Sequence, residues 1–322
     1  MITDTEFSGR IVYMGSGPFG AEALKVIGGH LLPAGIVTQP DRAAGRGRRL
    51  ERGAVARWGD EHGVRVLQPE GFREPAAIQE LAAESIDILI VASYGRLLPA
   101  TVLALPHQGC LNLHPSLLPR HRGPSPIPAA ILAGDSETGV TVMEMVMRMD
   151  AGPIVAQRSL PIGPEDTTES LTPMLARANA QLLVDVLPEW TRGHVSPRSQ
   201  DETRATFSRM ITKEDGLLDW TKSSADLDRE VRAYNPWPVA YTYWGGVRLR
   251  IFRSRPVDQT DAARSRPGQV LGCGPDGLLI QTGTGSLIIN ELQPEGGRRM
   301  PASAFAAGHP GISTAELQGP SR

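Results

Sequence analysis

Cysteine is nearly missing: Cys110 and Cys273 are the two in 322 residues, and no C-x-x-C pair exists. That excludes a disulfide framework. Long hydrophobic runs are missing too. No stretch of eighteen apolar residues occurs, and the opening MITDTEFSGR has no apolar segment of the kind a signal peptide carries. A membrane span is therefore not expected, and the sequence reads as that of a cytoplasmic protein. Charge of one sign is not in excess either, since the formal net charge is −2. Nothing global pulls the chain towards nucleic acid or a membrane surface. Lysine is confined to Lys25, Lys213 and Lys222 among 33 basic residues. Metal-ligand spacing is absent as well. His107, His114 and His121 recur every seven residues, but Pro106, Pro115 and Pro119 stop one helix from presenting all three. No metal site is expected.

What is present is an ordinary globular composition, 40% hydrophobic and 21% charged, in a chain long enough for one large domain or two. Ile11 to Met14 reads as a strand, Gly15-Ser16-Gly17-Pro18-Phe19-Gly20 as a turn, Ala21 to Ile27 as a helix and Gly35 to Thr38 as a second strand. The turn spells G-x-G-x-x-G, and Asp41 falls where a ribose-binding acid would stand, so a dinucleotide site is a rival reading. Two features oppose it. Pro18 removes an N–H where the helix would meet pyrophosphate, and Asp41 lies beyond Gln39-Pro40, past the strand. Ile86 to Ala92 is a continuous apolar run, the mark of a parallel strand covered on both faces.

The densest stretch is Gly109 to Gly123, GCLNLHPSLLPRHRG. A short apolar run, Cys110-Leu111, leads to Asn112 and His114, and Pro115 and Pro119 stop the strand. Polar groups are thereby expected at the carboxyl edge of an open α/β sheet, where ligands bind. Downstream, Asp150 stands on the turn Met149-Asp150-Ala151-Gly152 after the apolar run Val140 to Val146. Singly, each of the three has an ordinary explanation as a turn former or a solvated loop residue. Together, an amide, an imidazole and a carboxylate from two strand ends suit acyl transfer.

NLHPSLLPRHRG, then AGDSETGVTVM, then MDAGP resembles the formyltransferase family that uses 10-formyltetrahydrofolate as formyl donor. The resemblance runs from about Arg10 to about Ala306. It implies Asn112, His114 and Asp150 as the catalytic set and an α/β, Rossmann-like catalytic domain, its mostly parallel sheet covered by helices on both faces. It also implies that Ser93, Tyr94, Gly95, Arg96, Leu97 and Leu98, with Ser116, Leu117, Leu118 and Pro119, hold the folate. The family usually has G-T-P-x-F at the first turn, where this chain has Gly15-Ser16-Gly17-Pro18-Phe19.

Thr38 to Leu50, TQPDRAAGRGRRL, is basic and glycine-spaced without apolar periodicity, and reads as a mobile loop. It resembles the loop of the family branch that formylates methionyl-tRNA, which implies Arg42, Arg46, Arg48 and Arg49 as tRNA contacts. Further along, Thr167 to about Trp190 reads as a helix. Residues 191 to 204 are polar and unpatterned, a linker by composition. Lys213 to Ala233 carries helix signals, and short strand patterns follow at 239–244, 247–252, 268–271, 278–281 and 286–292. KEDGLLDW and NPWP again resemble that branch, which implies an OB-like C-terminal barrel. Residues 209–322 hold fourteen basic and twelve acidic side chains, so charge alone does not mark that domain as nucleic-acid-binding.

The resulting expectation is a catalytic domain over 1–190, a linker over 191–208 and a tRNA-binding domain over 209–322. The implied partners are methionyl-initiator-tRNA and the folate donor, without metal or membrane, for a monomer. The alternatives are a relative that formylates a small amine or hydrolyses formyltetrahydrofolate, an NADP-linked oxidoreductase, and a non-catalytic nucleic-acid-binding protein.

Overall fold

The computed structural model describes residues 9–44, 49–257 and 265–319. The chain divides into two compact units, one of Met1–Pro126, Glu137–Pro161 and Ser170–Arg209, the other of Ile127–Ser136, Ile162–Glu169 and Met210–Arg322. In chain order the elements up to the second unit's main body are β1 (Ile11–Gly15), α1 (Gly17–His30), β2 (Gly35–Val37), β3 (Arg42–Ala44), β4 (Arg49–Glu51), α2 (Ala54–Glu61), β5 (Val66–Leu67), α3 (Pro75–Ala82), β6 (Ile88–Ala92), α4 (Ala100–Leu103), β7 (Cys110–His114), α5 (Pro126–Leu132), β8 (Glu137–Glu144), β9 (Ile154–Pro161) and α6 (Thr168–Thr191).

The first unit is a seven-stranded sheet in the order β5-β2-β1-β6-β7-β8-β9, parallel through β7 and antiparallel from β7 to β9. Every residue of β1 and β6 is buried. Alternation divides them between two faces. Val12, Met14, Leu89 and Val91 join a core with Leu81 and Val102 of α3 and α4, while the Tyr13 hydroxyl donates to Gly20 O of α1 at 2.6 Å. Helices thus cover both faces, the Rossmann-like arrangement. Strand order reverses between β1 and β6, so the crevice at their carboxyl ends is where such a sheet receives ligands.

The G-x-G-x-x-G pattern has a packing explanation here. A Cβ at Gly15 would stand 2.9 Å from Ala92 O and 2.6 Å from the Tyr13 ring, and one at Gly20 would stand 2.8 Å from Ala92 O. Two glycines therefore let α1 lie close on β1 and β6. Helix α1 begins earlier than the expected Ala21, at Gly17, with Pro18 in its first turn. Asp41 is also accounted for: its carboxylate accepts from Gln68 Nε2 at 2.8 Å and Gly53 N at 3.3 Å and pairs with Arg52 at 3.5 Å. Where the sequence suggested an unstructured loop over 38–50, β3 and β4 pair antiparallel as a two-stranded hairpin. Arg46 and Arg48 lie outside the described residues.

In the second unit, α7 (Ser224–Ala233) precedes β10 (Ala240–Trp244), β11 (Val247–Val257), β12 (Val270–Gly274), β13 (Gly277–Gln281), β14 (Ser286–Pro294), β15 (Met300–Pro301) and α8 (Ala302–Gly308). The helix expected from Lys213 starts only at Ser224. Gly216 sits against Val239 O, so that a Cβ would approach to 2.6 Å, and Leu217 bridges Tyr241 as extended chain. Ser223 then caps α7 by accepting from Asp226 N. The antiparallel sheet runs β10-β11-β14-β13-β12. Its two edges are tied by one segment: Tyr243 exchanges backbone hydrogen bonds with Gln318, while Val270 N donates to Ala315 O and Leu317 N to Gly268 O. That closes an OB-like barrel around Leu249, Ile251, Leu278, Ile280, Leu287 and Phe305.

Candidate active site

Strand β7 runs from Cys110 through His114 and ends where Pro115 cannot donate. Asn112 pairs in register with Val91 of β6 and Met143 of β8. It is half-buried, and its amide has no hydrogen-bond partner among the described residues. His114 is buried. Its Nε2 lies 3.1 Å from His121 O. A carbonyl only accepts, so Nε2 carries the hydrogen, and in the neutral ring Nδ1 holds the lone pair. Nδ1 faces Asp150 Oδ1 at 3.8 Å. The other carboxylate oxygen, Oδ2, accepts from Gly123 N at 2.7 Å. Asp150 is in the left-handed region with φ 50°, unusual for a residue with a Cβ. The structure therefore gathers all three sequence-selected groups at one edge of the sheet.

Two devices hold them. Asn179, fully buried on α6, donates its amide to His114 O at 3.1 Å and fixes the strand end. The loop from Pro119 to Ser125 is clamped by residues 200–208. Thr206 Oγ1 accepts from His121 N at 2.8 Å, Thr206 O from Arg122 N at 2.9 Å, and Arg122 O from Ser208 N at 2.7 Å. Arg122 is fully buried, with its guanidinium on Gln200 Oε1 (2.8 and 3.0 Å) and on both Glu202 oxygens (2.9 and 3.1 Å). The hydrogen bonds from Arg122, joined by Arg148, hold the Glu202 carboxyl below its ordinary value. Gly123 (φ 108°) is required here, since a Cβ would meet Ser208 O at 2.5 Å. Sequence reasoning missed Asn179, Gln200, Glu202, Thr206 and Ser208, none of which carries a local signal.

The segments expected to hold folate flank β7 on opposite sides. After β6, Ser93 (φ 52°) and Gly95 (φ 75°) turn an exposed backbone outward. Tyr94 is buried with Phe72 and Leu98 in a core cluster, and its carbonyl accepts from Gln39 Nε2 at 2.6 Å. Arg96 reaches towards Glu70 at 3.9 Å, and Leu97 is exposed. After β7, Ser116 is buried, its hydroxyl donating to Arg120 O at 2.6 Å, while Thr141 Oγ1 donates to Ser116 O at 2.6 Å. Leu117 and Pro119 are half-buried. Leu118 packs in a small core with Met143 and Ile154 and does not stand open as a wall.

Burial pushes the Cys110 thiol up to about 12, which rules it out as a thiolate nucleophile near neutral pH. Among the described residues no cluster of His, Cys, Asp and Glu is arranged to hold a metal ion, and no helix is long and apolar enough to cross a membrane.

Comparison with known proteins adds the following. Residues 11–187 match the family described as formyl transferase, and residues 210–310 match the formyl transferase C-terminal domain. The chain is 46% identical to the methionyl-tRNA formyltransferase of Chloroflexus aggregans over 93% of its own length and 97% of that protein's. It is 44% identical to the methionyl-tRNA formyltransferase of a Roseiflexus species, covering 93% and 92%. Among solved structures, HypX from Aquifex aeolicus in complex with tetrahydrofolic acid superposes with a TM-score of 0.61 at 19% identity, over 92% of this chain and 47% of that one. That last likeness concerns the fold.

Proposed function

The chain belongs to the formyltransferase family, and from that premise we propose the reaction it carries out and the residues that do it. It transfers the formyl group of 10-formyltetrahydrofolate to the α-amine of methionyl-initiator-tRNA, for translation initiation. The observation that carries the site is the Asn112 amide, half-buried and without a hydrogen-bond partner among the described residues, two residues along β7 from His114, whose ring faces Asp150.

The α-amine attacks the formyl carbon, the carbonyl oxygen gains charge in a tetrahedral centre, and the bond to N10 breaks. The amine nitrogen loses a proton and N10 gains one. Asn112 donates to the oxygen as its charge develops. His114 has its Nε2–H committed to His121 O, so Nδ1 is where it takes a proton, directly against Asp150. The pair takes up the amine's proton and returns one to N10, directly or through a water. No covalent enzyme intermediate is involved.

In this reading the exposed backbone of Ser93, Gly95 and Arg96, with Leu97, Ser116, Leu117 and Pro119, receives the folate, while Tyr94, Leu98 and Leu118 support these turns from the cores they occupy. Arg42, Arg46, Arg48 and Arg49 meet the acceptor arm of the tRNA, and residues 209–322 bind the tRNA further out. Residues 191–208 join the two domains and brace the catalytic loop. The protein works as a cytoplasmic monomer. The test is formation of formyl-methionyl-tRNA from the purified protein, 10-formyltetrahydrofolate and charged initiator tRNA. Near-normal turnover by any two of Asn112→Ala, His114→Ala and Asp150→Ala would overturn the site.

A further inference from the structure

We infer that Gln200 is a positioning residue for formyl transfer, fixing the backbone of the turn at Asp150 and Gly152 so that the carboxylate stays against His114 Nδ1. This rests on the reading of Asp150 given above. Gln200 Nε2 donates to Asp150 O at 2.8 Å and to Gly152 O at 2.7 Å. The amide cannot be turned round. Arg122 Nε and Nη2 both donate to its Oε1, and a guanidinium only donates, so the NH₂ end must face the two carbonyls. Asp150 is the residue that needs such a hold, because its φ of 50° is disfavoured for a side chain with a Cβ. The same dipeptide works from the other side: Gly123, next to Arg122, gives its N–H to Asp150 Oδ2 at 2.7 Å. Arg122 thus sets backbone and carboxylate together, and Gln200 is its link to the backbone. Gln200 touches neither Asn112 nor His114 among the described contacts, so it acts through Asp150.

Gln200→Glu isolates the effect. It keeps the shape and the partner for Arg122 but turns two donors into an acceptor facing two carbonyls. A displacement of about 1 Å at a catalytic group can cost 10²-fold, so kcat should fall about tenfold or more while KM for methionyl-tRNA stays within about twofold. Gln200→Ala, which introduces no repulsion, covers the case in which the glutamate variant does not fold. The deciding measurement is a double-mutant cycle with Asp150→Asn. If Gln200 acts through Asp150, adding either Gln200 change to Asp150→Asn should cost less than about twofold further. Additive losses, or wild-type kcat for Gln200→Glu or Gln200→Ala, would overturn the proposal. Full turnover by Asp150→Asn alone would instead remove the catalytic reading on which it rests.

Discussion

The loop after β7 and the hairpin β3–β4 both leave the carboxyl edge of the same sheet, and both combine arginine with glycine and proline. Their construction differs. After β7, Arg122 is buried to its last nitrogen, and the backbone from Pro119 to Ser125 is laced to residues 200–208. The hairpin pairs only with itself as a strand, and its described ties gather at the neck. There Arg52 grips Asp60 with two nitrogens and reaches Gln68 at 2.6 Å, and Gln68 holds Asp41. A group that must meet a developing charge needs a fixed place before the substrate arrives, and extra hydrogen bonds supply it. An arm that grips phosphates gains from charge at its tip and only a secured base. Arginine is a buried strut in the first, while in the second Arg52 secures the base.

The sharpest way to break that contrast is to remove the chemistry from the fixed loop. Asn112→Ala, His114→Ala and Asp150→Ala should each lower kcat by roughly 10²-fold or more, the scale for an oxyanion donor or a general acid–base. The fold should survive, which circular dichroism would check. Near-normal turnover in any two of the three would sink the assignment. Next in size comes the clamp. Gly123→Ala forces a Cβ onto Ser208 O at a φ of 108°, a strain of about 1–3 kcal/mol. It should lower both the urea midpoint and kcat, and an unchanged kcat would show that the loop tolerates displacement.

The hairpin should respond in a different quantity. Replacing Arg42, Arg46, Arg48 and Arg49 by Ala should raise KM for methionyl-tRNA and spare folate binding. Each lost phosphate contact should flatten the log–log salt dependence by about one unit; superimposable salt series for wild type and variant would mean the arm touches no tRNA. The smallest effect belongs to the neck. Arg52→Gln should weaken tRNA binding only modestly and leave the salt slope in place, since Arg52 is spent on protein carboxylates. Hydrogen bonding from Gln68 first, then from Gly53 N–H and Arg52, holds the Asp41 carboxyl below its ordinary value. An acid lowered in the folded state contributes above its unfolded value of about 3.9 and is lost only as pH falls below that. Asp41→Asn should therefore lower stability by the same amount at neutral and alkaline pH, read from urea midpoints, and the gap from wild type should narrow only in acid.

Much of this was legible in the residues. The apolar run from Ile86 to Ala92 reads as a strand covered on both faces and is one from Ile88, and the proline after His114 marks where β7 must stop. The barrel strands announced themselves by alternation and glycine turns. What stayed hidden is the clamp. Residues 200–208 have no period because they obey no local rule: Gln200 answers Arg122, which lies 78 positions earlier, and Ser208 answers Arg122 O at a separation of 86. The glycines of the first turn allowed a rival phosphate reading, opposed by Pro18 and Asp41, where the need is close packing against Ala92. Lys213 to Ser223 has helix-forming residues but makes only a single 3-10 turn at Glu214–Gly216, because Leu217 and Ser223 are held as bridges to Tyr241 and Thr284.

The clamp also sets an order of assembly. A chain made from its amino terminus presents Arg122 and its loop well before Gln200, Glu202 and Thr206 exist. Until they do, a guanidinium destined for full burial lacks Glu202, and the Asp150 turn has Gly123 on its carboxylate but not the Gln200 amide on its backbone. The sheet can form early, but the chemistry cannot be completed until residue 208 is in place. A fragment cut at residue 190 would keep Asn112, His114, Asp150 and the Asn179 strut and still lack the clamp on the loop around Arg122.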